Sequence, residues 1–388
     1  MVNRFQKLSN SDDLFLFGAR GTGKSTLIRT LFSNSKVLWI DLLSEEDEER
    51  FGRHPDELSK HLRSSQYQYV VIDEIQKFPK LLDIVHSEIE RKSTDRPFFI
   101  LTGSSARKLK KSGANLLGGR AFTYFLFPFT HFELGSLFHL QSALEYGTLP
   151  LVWARPENEK KEEFLRGYVR NYLKEEILAE QILRQIEPFK DFLEVAAQMN
   201  AEIINYSKMA RDVGVSDQTI KSFFSILEDT LIGYSLPSFH RSVRKRQREA
   251  PKFYFFDTGV RRALARNLKV PLSPKTSEYG KAFEHFIILE IFRACEYAKN
   301  DFKLSYLRTK DDAEIDLIIE RPGRPDLLLE IKSANYISED ETRILNKFFL
   351  DWGLPCEAQV WSLDPLSKKI QNVDCLHWQE GIRRIFKP

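Results

Sequence analysis

Two groups of residues have the types and spacing to do chemistry. The first is Gly18-Ala19-Arg20-Gly21-Thr22-Gly23-Lys24-Ser25-Thr26, which fits G-x-x-x-x-G-K-[ST]. Glycines in such a run let successive backbone N–H groups converge on one anion. Lys24 would then reach the β- and γ-phosphates of a nucleotide, and the Ser25 hydroxyl would ligate Mg²⁺. Gly18, Arg20, Gly21, Thr22, Gly23 and Thr26 line the cradle, with no particular role assigned to Arg20. A cradle of this kind works with an acidic strand end, and Tyr69-Val70-Val71-Ile72-Asp73-Glu74 supplies one. Asp73 is placed for the Mg²⁺ shell, and Glu74 to orient and deprotonate an attacking water. Leu101-Thr102-Gly103-Ser104-Ser105 ends a further apolar run in hydroxyls. Ser104 fits a contact to the γ-phosphate or the water, and a plain turn fits it nearly as well. Arg120 follows Gly118-Gly119 and suits either a finger that stabilises charge on a neighbouring subunit's phosphate or an ordinary ion pair.

The second group is acidic and lies late in the chain. Ala313-Glu314-Ile315-Asp316-Leu317-Ile318-Ile319 alternates as a strand, and Leu328-Leu329-Glu330-Ile331-Lys332 sets Glu330 and Lys332 two residues apart on one face. A divalent-metal phosphodiesterase needs such a set. Asp316 and Glu330 would bind Mg²⁺ or Mn²⁺, Lys332 would position or activate water, and Glu284 would complete the shell from a preceding helix. An isolated Glu-x-Lys is also an ordinary solvated strand edge, so the order of the elements carries the signal.

The elements that must position these residues are readable by periodicity. Leu14 to Phe17 is a buried strand feeding the glycine loop, Lys24 to Phe32 a helix, and Val37 to Asp41 a second buried strand. Lys80 to Arg91 is helical, Pro97 to Ser105 holds a further apolar strand after the one ending at Asp73, and Phe122 to Phe127 is another. Lys160 to Arg184 reads as a long amphipathic helix with Phe164, Leu165, Tyr168, Val169, Tyr172 and Leu173 as its stripe. Asn205 caps Tyr206 to Asp212, Gly214-Val215 turns, and Ser216 caps Asp217 to Asp229, a helix-turn-helix layout. Gln218 and Lys221 fall on its outward side. Leu231 to Leu236 and Lys252 to Phe256 are two strands joined by a loop carrying Arg241, Arg244, Lys245, Arg246 and Arg248, a wing able to neutralise DNA phosphates. The same winged helix also suits a protein contact, the lesser of the two readings, since its recognition face carries few basic residues. Tyr279 to Tyr297 is a helix, followed by strands at Lys303 to Leu307, Ala313 to Glu320 and Asp326 to Ile331.

Composition bounds the rest. The 388 residues exceed one typical core, and 42% hydrophobic with 29% charged content describes globular domains, with disorder not the default. A net charge of +3 leaves any nucleic-acid contact to local basic patches. Cys295, Cys356 and Cys375 are too scattered for a zinc knuckle or a disulfide framework. The start of the chain lacks the apolar core of a signal peptide, and no stretch suits a spanning helix, so the expectation is a cytoplasmic protein with no membrane partner.

Gly18 to Thr26, Asp73-Glu74-Ile75-Gln76-Lys77, Leu101 to Ser105, Leu117-Gly118-Gly119-Arg120 and Phe127-Pro128-Phe129 resemble the AAA-type ATPases of bacteria and archaea that carry a C-terminal domain of formerly unknown function. The resemblance spans essentially the whole chain. It implies an α/β P-loop ATPase core at 1–135, a helical lid at 136–190, a winged helix-turn-helix at 191–257 and an α/β domain at 258–388. It also implies ATP and Mg²⁺ as cofactors and assembly into a homo-oligomer, of which a ring is one form. The order helix Glu284, strand Asp316, Glu330-x-Lys332 is similar to the restriction-endonuclease-like fold of Holliday-junction resolvases and many restriction enzymes, although Ile315-Asp316 stands where the separate Pro-Asp of that motif would be. Together these imply an ATP-hydrolysing protein that binds or remodels duplex or branched DNA, with a metal-dependent nuclease centre in question. The alternative is a nucleotide-gated switch for a protein partner.

Overall fold

Apolar residues in Asp13–Phe17 (β1), Tyr69–Asp73 (β3) and Phe98–Gly103 (β4) are buried on both sides, as strands at the centre of a parallel sheet must be. The computed structural model describes residues 2–91, 95–105, 117–172, 187–241 and 249–386. Contacts divide the chain into two units: Met1–Phe129 with Asp229–Ile232, and Thr130–Glu228 with Gly233–Pro388.

The first unit is a five-stranded sheet in the order β2-β3-β4-β1-β5, with β2 at Val37–Asp41 and β5 at Ala121–Phe125. Every pairing is parallel. Leu14 and Leu16 pack toward Leu27 and Ile28 of helix α1 (Lys24–Leu31), while Phe15 and Phe17 face the opposite layer with Leu58 of α2 (Asp56–Ser64) and Leu81, Leu82 and Val85 of α3 (Leu81–Glu90). That alternation is the period-2 rule covering both faces with helices. Strand β2 departs from the expected buried strand: only Ile40 is fully buried in it, because β2 is the sheet edge. All the strands run one way, so the C-terminal ends of β1, β3 and β4 open at one rim, where open α/β sheets bind ligands.

In the second unit, α4 (Leu140–Tyr146) and α5 (Asn158–Gly167) precede α6 (Glu187–Gln198). The long helix expected over Lys160 to Arg184 is α-helical only to Gly167 and then widens into a π-turn at Tyr168–Tyr172; residues 173–186 lie outside the described part. The helix-turn-helix forms as its caps dictate. Asn205 Oδ1 accepts the Lys208 N–H at 2.9 Å ahead of α7 (Tyr206–Val213), Gly214 turns at φ 75, and the Ser216 hydroxyl accepts the Thr219 N–H at 3.2 Å at the start of α8 (Asp217–Asp229). Strands β6 (Gly233–Leu236) and β7 (Lys252–Phe255) pair antiparallel, and α9 (Thr258–Leu264) follows.

The rest of this unit is a six-stranded sheet in the order β12-β13-β11-β10-β9-β8, formed by Lys303–Arg308 (β8), Glu314–Glu320 (β9), Asp326–Ile331 (β10), Cys356–Ser362 (β11), Lys368–Ile370 (β12) and Val373–His377 (β13). Helix α10 (Ser277–Ala298) and α12 (Trp378–Ile385) cover one face, and α11 (Glu339–Asp351) the other. Along β9 the alternation breaks. Ile315 and Ile318 both belong to the α11 face, three residues apart, because the pairing with β8 slips by one residue between Ser305 and Leu307. The extra residue falls at Asp316-Leu317, a bulge of the kind that re-aims a side chain.

Helix α10 also carries a buried polar network. Glu290 accepts the His131 backbone N–H at 2.9 Å and meets its ring, while Arg293 contacts Glu290 at 3.4 Å and donates to Thr148 Oγ1 at 3.1 Å and the Phe256 carbonyl at 2.9 Å. The side chains of Glu290 and Arg293 are 1% and 2% exposed, so removing either charge strands the other in a low-dielectric interior. Arg293→Met is expected to destabilise the protein by about 3–5 kcal/mol. The check is the urea midpoint, and an unchanged midpoint would mean that the network contributes nothing net.

Candidate functional site

The loop between β1 and α1 is shaped by three glycines for two reasons. Gly21 and Gly23 sit at φ 84 and φ 93, a region that L side chains avoid. Gly18 is barred from carrying a side chain by space: a Cβ there would lie 2.3 Å from the Leu126 carbonyl oxygen and 2.9 Å from Thr22 Oγ1. The Thr22 hydroxyl donates back to the Ala19 carbonyl at 2.9 Å, and Arg4 donates to the Thr22 carbonyl at 3.1 Å from outside the loop. Lys24 is buried, and its ammonium is held at 2.7 Å from the Gly18 carbonyl, inside the curve where phosphate oxygens would enter. Arg20 and Gly21 are half-buried at the loop's outer turn, and Thr26 faces out.

Beside this cradle stands the acid expected for it. The Ser25 hydroxyl donates to Asp73 Oδ2 at 2.7 Å, and Thr102 on β4 donates to the other Asp73 oxygen. Residues and group fit: a serine hydroxyl and a carboxylate side by side at a phosphate loop are the pair by which P-loop proteins hold Mg²⁺ against nucleotide phosphates. Glu74 follows at φ 62, an unusual conformation for glutamate that costs about 1–2 kcal/mol. Gln76 holds it there. The Gln76 amide, 6% exposed, donates to Glu74 Oε2 and, at 3.0 Å, to the Ser104 hydroxyl, which itself contacts Glu74 Oε2 at 3.4 Å. Ser104 is therefore tied to Glu74 through its immediate partners. Arg120 forms a 2.5 Å ion pair with Glu90 of α3, half-exposed to solvent.

The late acidic group does come together, with additional partners. Glu284 of α10 accepts the Tyr254 hydroxyl at 2.9 Å and lies 3.5 Å from the Lys252 ammonium, which also pairs with Glu314. Asp316 Oδ2 accepts the Ile331 N–H at 2.7 Å where β9 and β10 part, and Glu330 pairs with Lys332 at 2.5 Å. Burial and the neighbouring carboxylates Glu330 and Glu284 push the Asp316 carboxyl well above its usual range, and burial likewise raises Glu330 against the pull of Lys332. For the two ammoniums the surrounding carboxylates outweigh burial, so both Lys252 and Lys332 are held more firmly protonated. Glu284, Asp316 and Glu330, the expected metal shell, lie near enough to interact electrostatically, and among the described residues no three His, Cys, Asp or Glu side chains are already grouped in a metal-holding geometry. Each of these carboxylates is turned instead toward a lysine, a tyrosine or a backbone N–H.

On the helix-turn-helix, Gln218 and Lys221 are exposed on α8 as expected. Arg241 is exposed, and its guanidinium donates to the Trp352 carbonyl at the end of α11. Arg244, Lys245, Arg246 and Arg248 lie outside the described residues. Sequence reasoning missed Arg4, Lys252, Tyr254 and Glu314, and gave Gln76 no role. The signal for Lys252 was a lone charge heading the apolar run Phe253-Tyr254-Phe255-Phe256; for Glu314, it was a second acid two residues before Asp316. Nothing local marks Arg4.

Residues 10–135 match the family model described as an AAA domain, and residues 137–270 and 279–367 match two models described as domains of unknown function. The N-terminal unit is thus a P-loop domain of the AAA type. Among curated proteins, an uncharacterized protein of Mycobacterium tuberculosis is 27% identical over 313 residues, covering 80% of this chain and 68% of its own. One of Methanocaldococcus jannaschii is 22% identical over 400 residues, covering 88% and 81%. Among solved structures, a Walker-type ATPase of Pyrococcus abyssi superposes with a TM-score of 0.44 at 15% identity, over 65% of this chain and 90% of that one. The Orc1 protein of Aeropyrum pernix in complex with DNA gives a TM-score of 0.33 at 13% identity, over 66% and 87%. Both superpositions are too loose to define a shared fold.

Because Leu126 is backbone-fixed against Gly18, Gly18→Ala is expected to push the loop out of shape and to weaken nucleotide binding at least about tenfold, a cost on the scale of overpacking. Titration with a fluorescent ATP analogue measures it, and unchanged affinity would remove the cradle from the nucleotide site.

Proposed function

We propose that this chain is an ATP-hydrolysing AAA-type protein that acts on DNA, duplex or branched, with the hydrolysis cycle in its first unit and the DNA contacts in its second. The observation supporting the ATPase reading most directly is the meeting of Lys24, Ser25, Asp73 and Thr102 at the rim of one parallel sheet. Mg²⁺ bound there would neutralise charge developing on the phosphates. Lys24 binds the phosphates and Asp73 with Ser25 holds the ion's place. Glu74 orients and deprotonates the attacking water, and Gln76 with Ser104 positions Glu74. Assembly into a homo-oligomer belongs to this reading, and a finger role for Arg120 would require it to leave Glu90. The division at 1–135, 136–190, 191–257 and 258–388 and a cytoplasmic setting are parts of the same proposal. The C-terminal domain enters it with a metal-dependent nuclease centre still in question, its carboxylates being paired with Lys252, Tyr254 and Lys332; as an inactive platform it belongs to the alternative below.

The DNA half rests on the capped helix-turn-helix with Gln218 and Lys221 outward, and on the wing sequence. One observation favours the alternative, a nucleotide-gated switch for a protein partner. A groove of about 750 Å³ beside α7 and α8 is lined by both signs of charge, Lys221, Arg308 and Lys310 with Asp217, Glu249 and Asp312, which suits a peptide surface as well as a phosphate backbone.

Steady-state ATP hydrolysis without DNA, with duplex and with a four-way junction separates the two. Stimulation by DNA, greatest on the junction, is the expected result, and a rate indifferent to every DNA would favour the switch. Lys24→Ala should abolish nucleotide binding, whereas Glu74→Gln should retain it and lose at least about 100-fold in turnover. Gly103→Ala tests the positioning of Glu74: its Cβ would lie 2.5 Å from Gln76 Oε1 and must displace the amide. Turnover should fall about 10- to 100-fold with nucleotide affinity unchanged. Equal turnover would dismiss Gln76 from the mechanism.

A further inference from the structure

The carboxylates that a metal-dependent nuclease would use are already served by an ammonium from a different part of the second unit. Lys252 is the first residue of β7, the strand that closes the wing, and it is paired there with Leu236 of β6 and bridged to Ile203. Its side chain is 5% exposed. The ammonium reaches across to α10 and β9, where it lies 3.5 Å from Glu284 Oε1 and contacts Glu314 Oε1, and its position is shared by the Tyr306 ring at 5.6 Å. Two residues along the same strand, Tyr254 donates to the same Glu284 oxygen at 2.9 Å. One strand of the winged helix therefore supplies both a cation and a hydrogen-bond donor to a single carboxylate of the C-terminal domain.

A buried ammonium on a carboxylate has two consequences. It satisfies the charge that would otherwise draw a cation in, and it repels any second cation placed within a few ångströms. Lys332 does the same on the other side of the cluster, bound to Glu330 at 2.5 Å. Asp316 is left between them with one oxygen committed to the Ile331 N–H. Both β7 partners fall on Oε1 of Glu284, so a divalent ion bridging Glu284, Asp316 and Glu330 would have to share this carboxylate with a buried ammonium.

We infer that Lys252 is the resident cation of this cluster and excludes divalent metal from it, so that the docking of the wing strand onto α10 and β9 keeps the nuclease-like centre closed. The C-terminal domain then works as a rigid platform for the winged helix, and metal binding is conditional on withdrawing Lys252. The inference does not depend on the ATPase reading.

Mn²⁺ titration of the nucleotide-free 388-residue chain, followed by the electron paramagnetic resonance of the free ion, tests it. Wild type is expected to bind Mn²⁺ only weakly. Lys252→Met should tighten binding at least about tenfold, because a like charge a few ångströms from the ion is gone. Adding Asp316→Asn should abolish the gain, placing it at this cluster. Lys252→Gln, which keeps length and a hydrogen-bond donor, provides the same comparison should the methionine variant not fold. Two results would overturn the inference: a tight Mn²⁺ site in wild type that Asp316→Asn removes, or a folded Lys252 variant whose Mn²⁺ affinity is unchanged or weaker.

Discussion

The hydrogen bond from Ser25 to Asp73, 2.7 Å long, joins residues 48 positions apart and can form only if two strand ends meet at one rim. Strand β4 lies between β1 and β3, so Asp73 is not the neighbour of the phosphate loop within the sheet. Thr102 on the intervening strand bridges the gap by donating to Asp73, and Gly103 beside it leaves room for Gln76. The sheet order, the smallness of Gly103, the cradle glycines and the left-handed turn at Glu74 all serve that one junction. Burial on both faces by α1 on one side and α2 and α3 on the other makes the rim rigid, because a close-packed interior does not allow the strands to slide.

In the second unit the corresponding constraint is helix α10. Its apolar side packs on the six-stranded sheet, and its polar residues are spent on partners from outside the C-terminal domain. Glu290 and Arg293 hold His131 and Thr148 of the helical segment, His285 contacts the Phe255 carbonyl, and Glu284 meets Lys252 and Tyr254. His285 is fully enclosed, and burial pushes its pKa down to about 3, so it acts as a neutral ring fixed to the backbone of β7. The helical segment, strand β7 and the C-terminal sheet are thereby joined by buried polar contacts to one helix. Such contacts add specificity because each is costly to leave unmade.

Much of this was legible in order along the chain. The phosphate loop, the Asp73-Glu74 strand end and the helix-turn-helix caps are local patterns: their chemistry depends on residues a few positions apart, and the backbone there has few alternatives. The burial of β2 was misjudged from its apolar run, since an edge strand and a central one read alike until neighbours are known. The π-turn at Tyr168–Tyr172 in the helix after Lys160 was not foreseen for a similar reason, because periodicity does not reveal one.

The acidic cluster shows the division most clearly. By itself the sequence placed Glu284 on a helix and Asp316, Glu330 and Lys332 on or beside the strands that follow it, since helical spacing and alternation follow from side-chain type. Only the tertiary structure decided what faces them. The β9 bulge at Asp316 arises from pairing with β8, and Lys252 arrives from a strand 32 residues ahead of Glu284 by the packing of β7 on α10. Which ion a set of carboxylates holds depends on every charge within a few ångströms, and nearness in space between distant segments is not written in any local pattern.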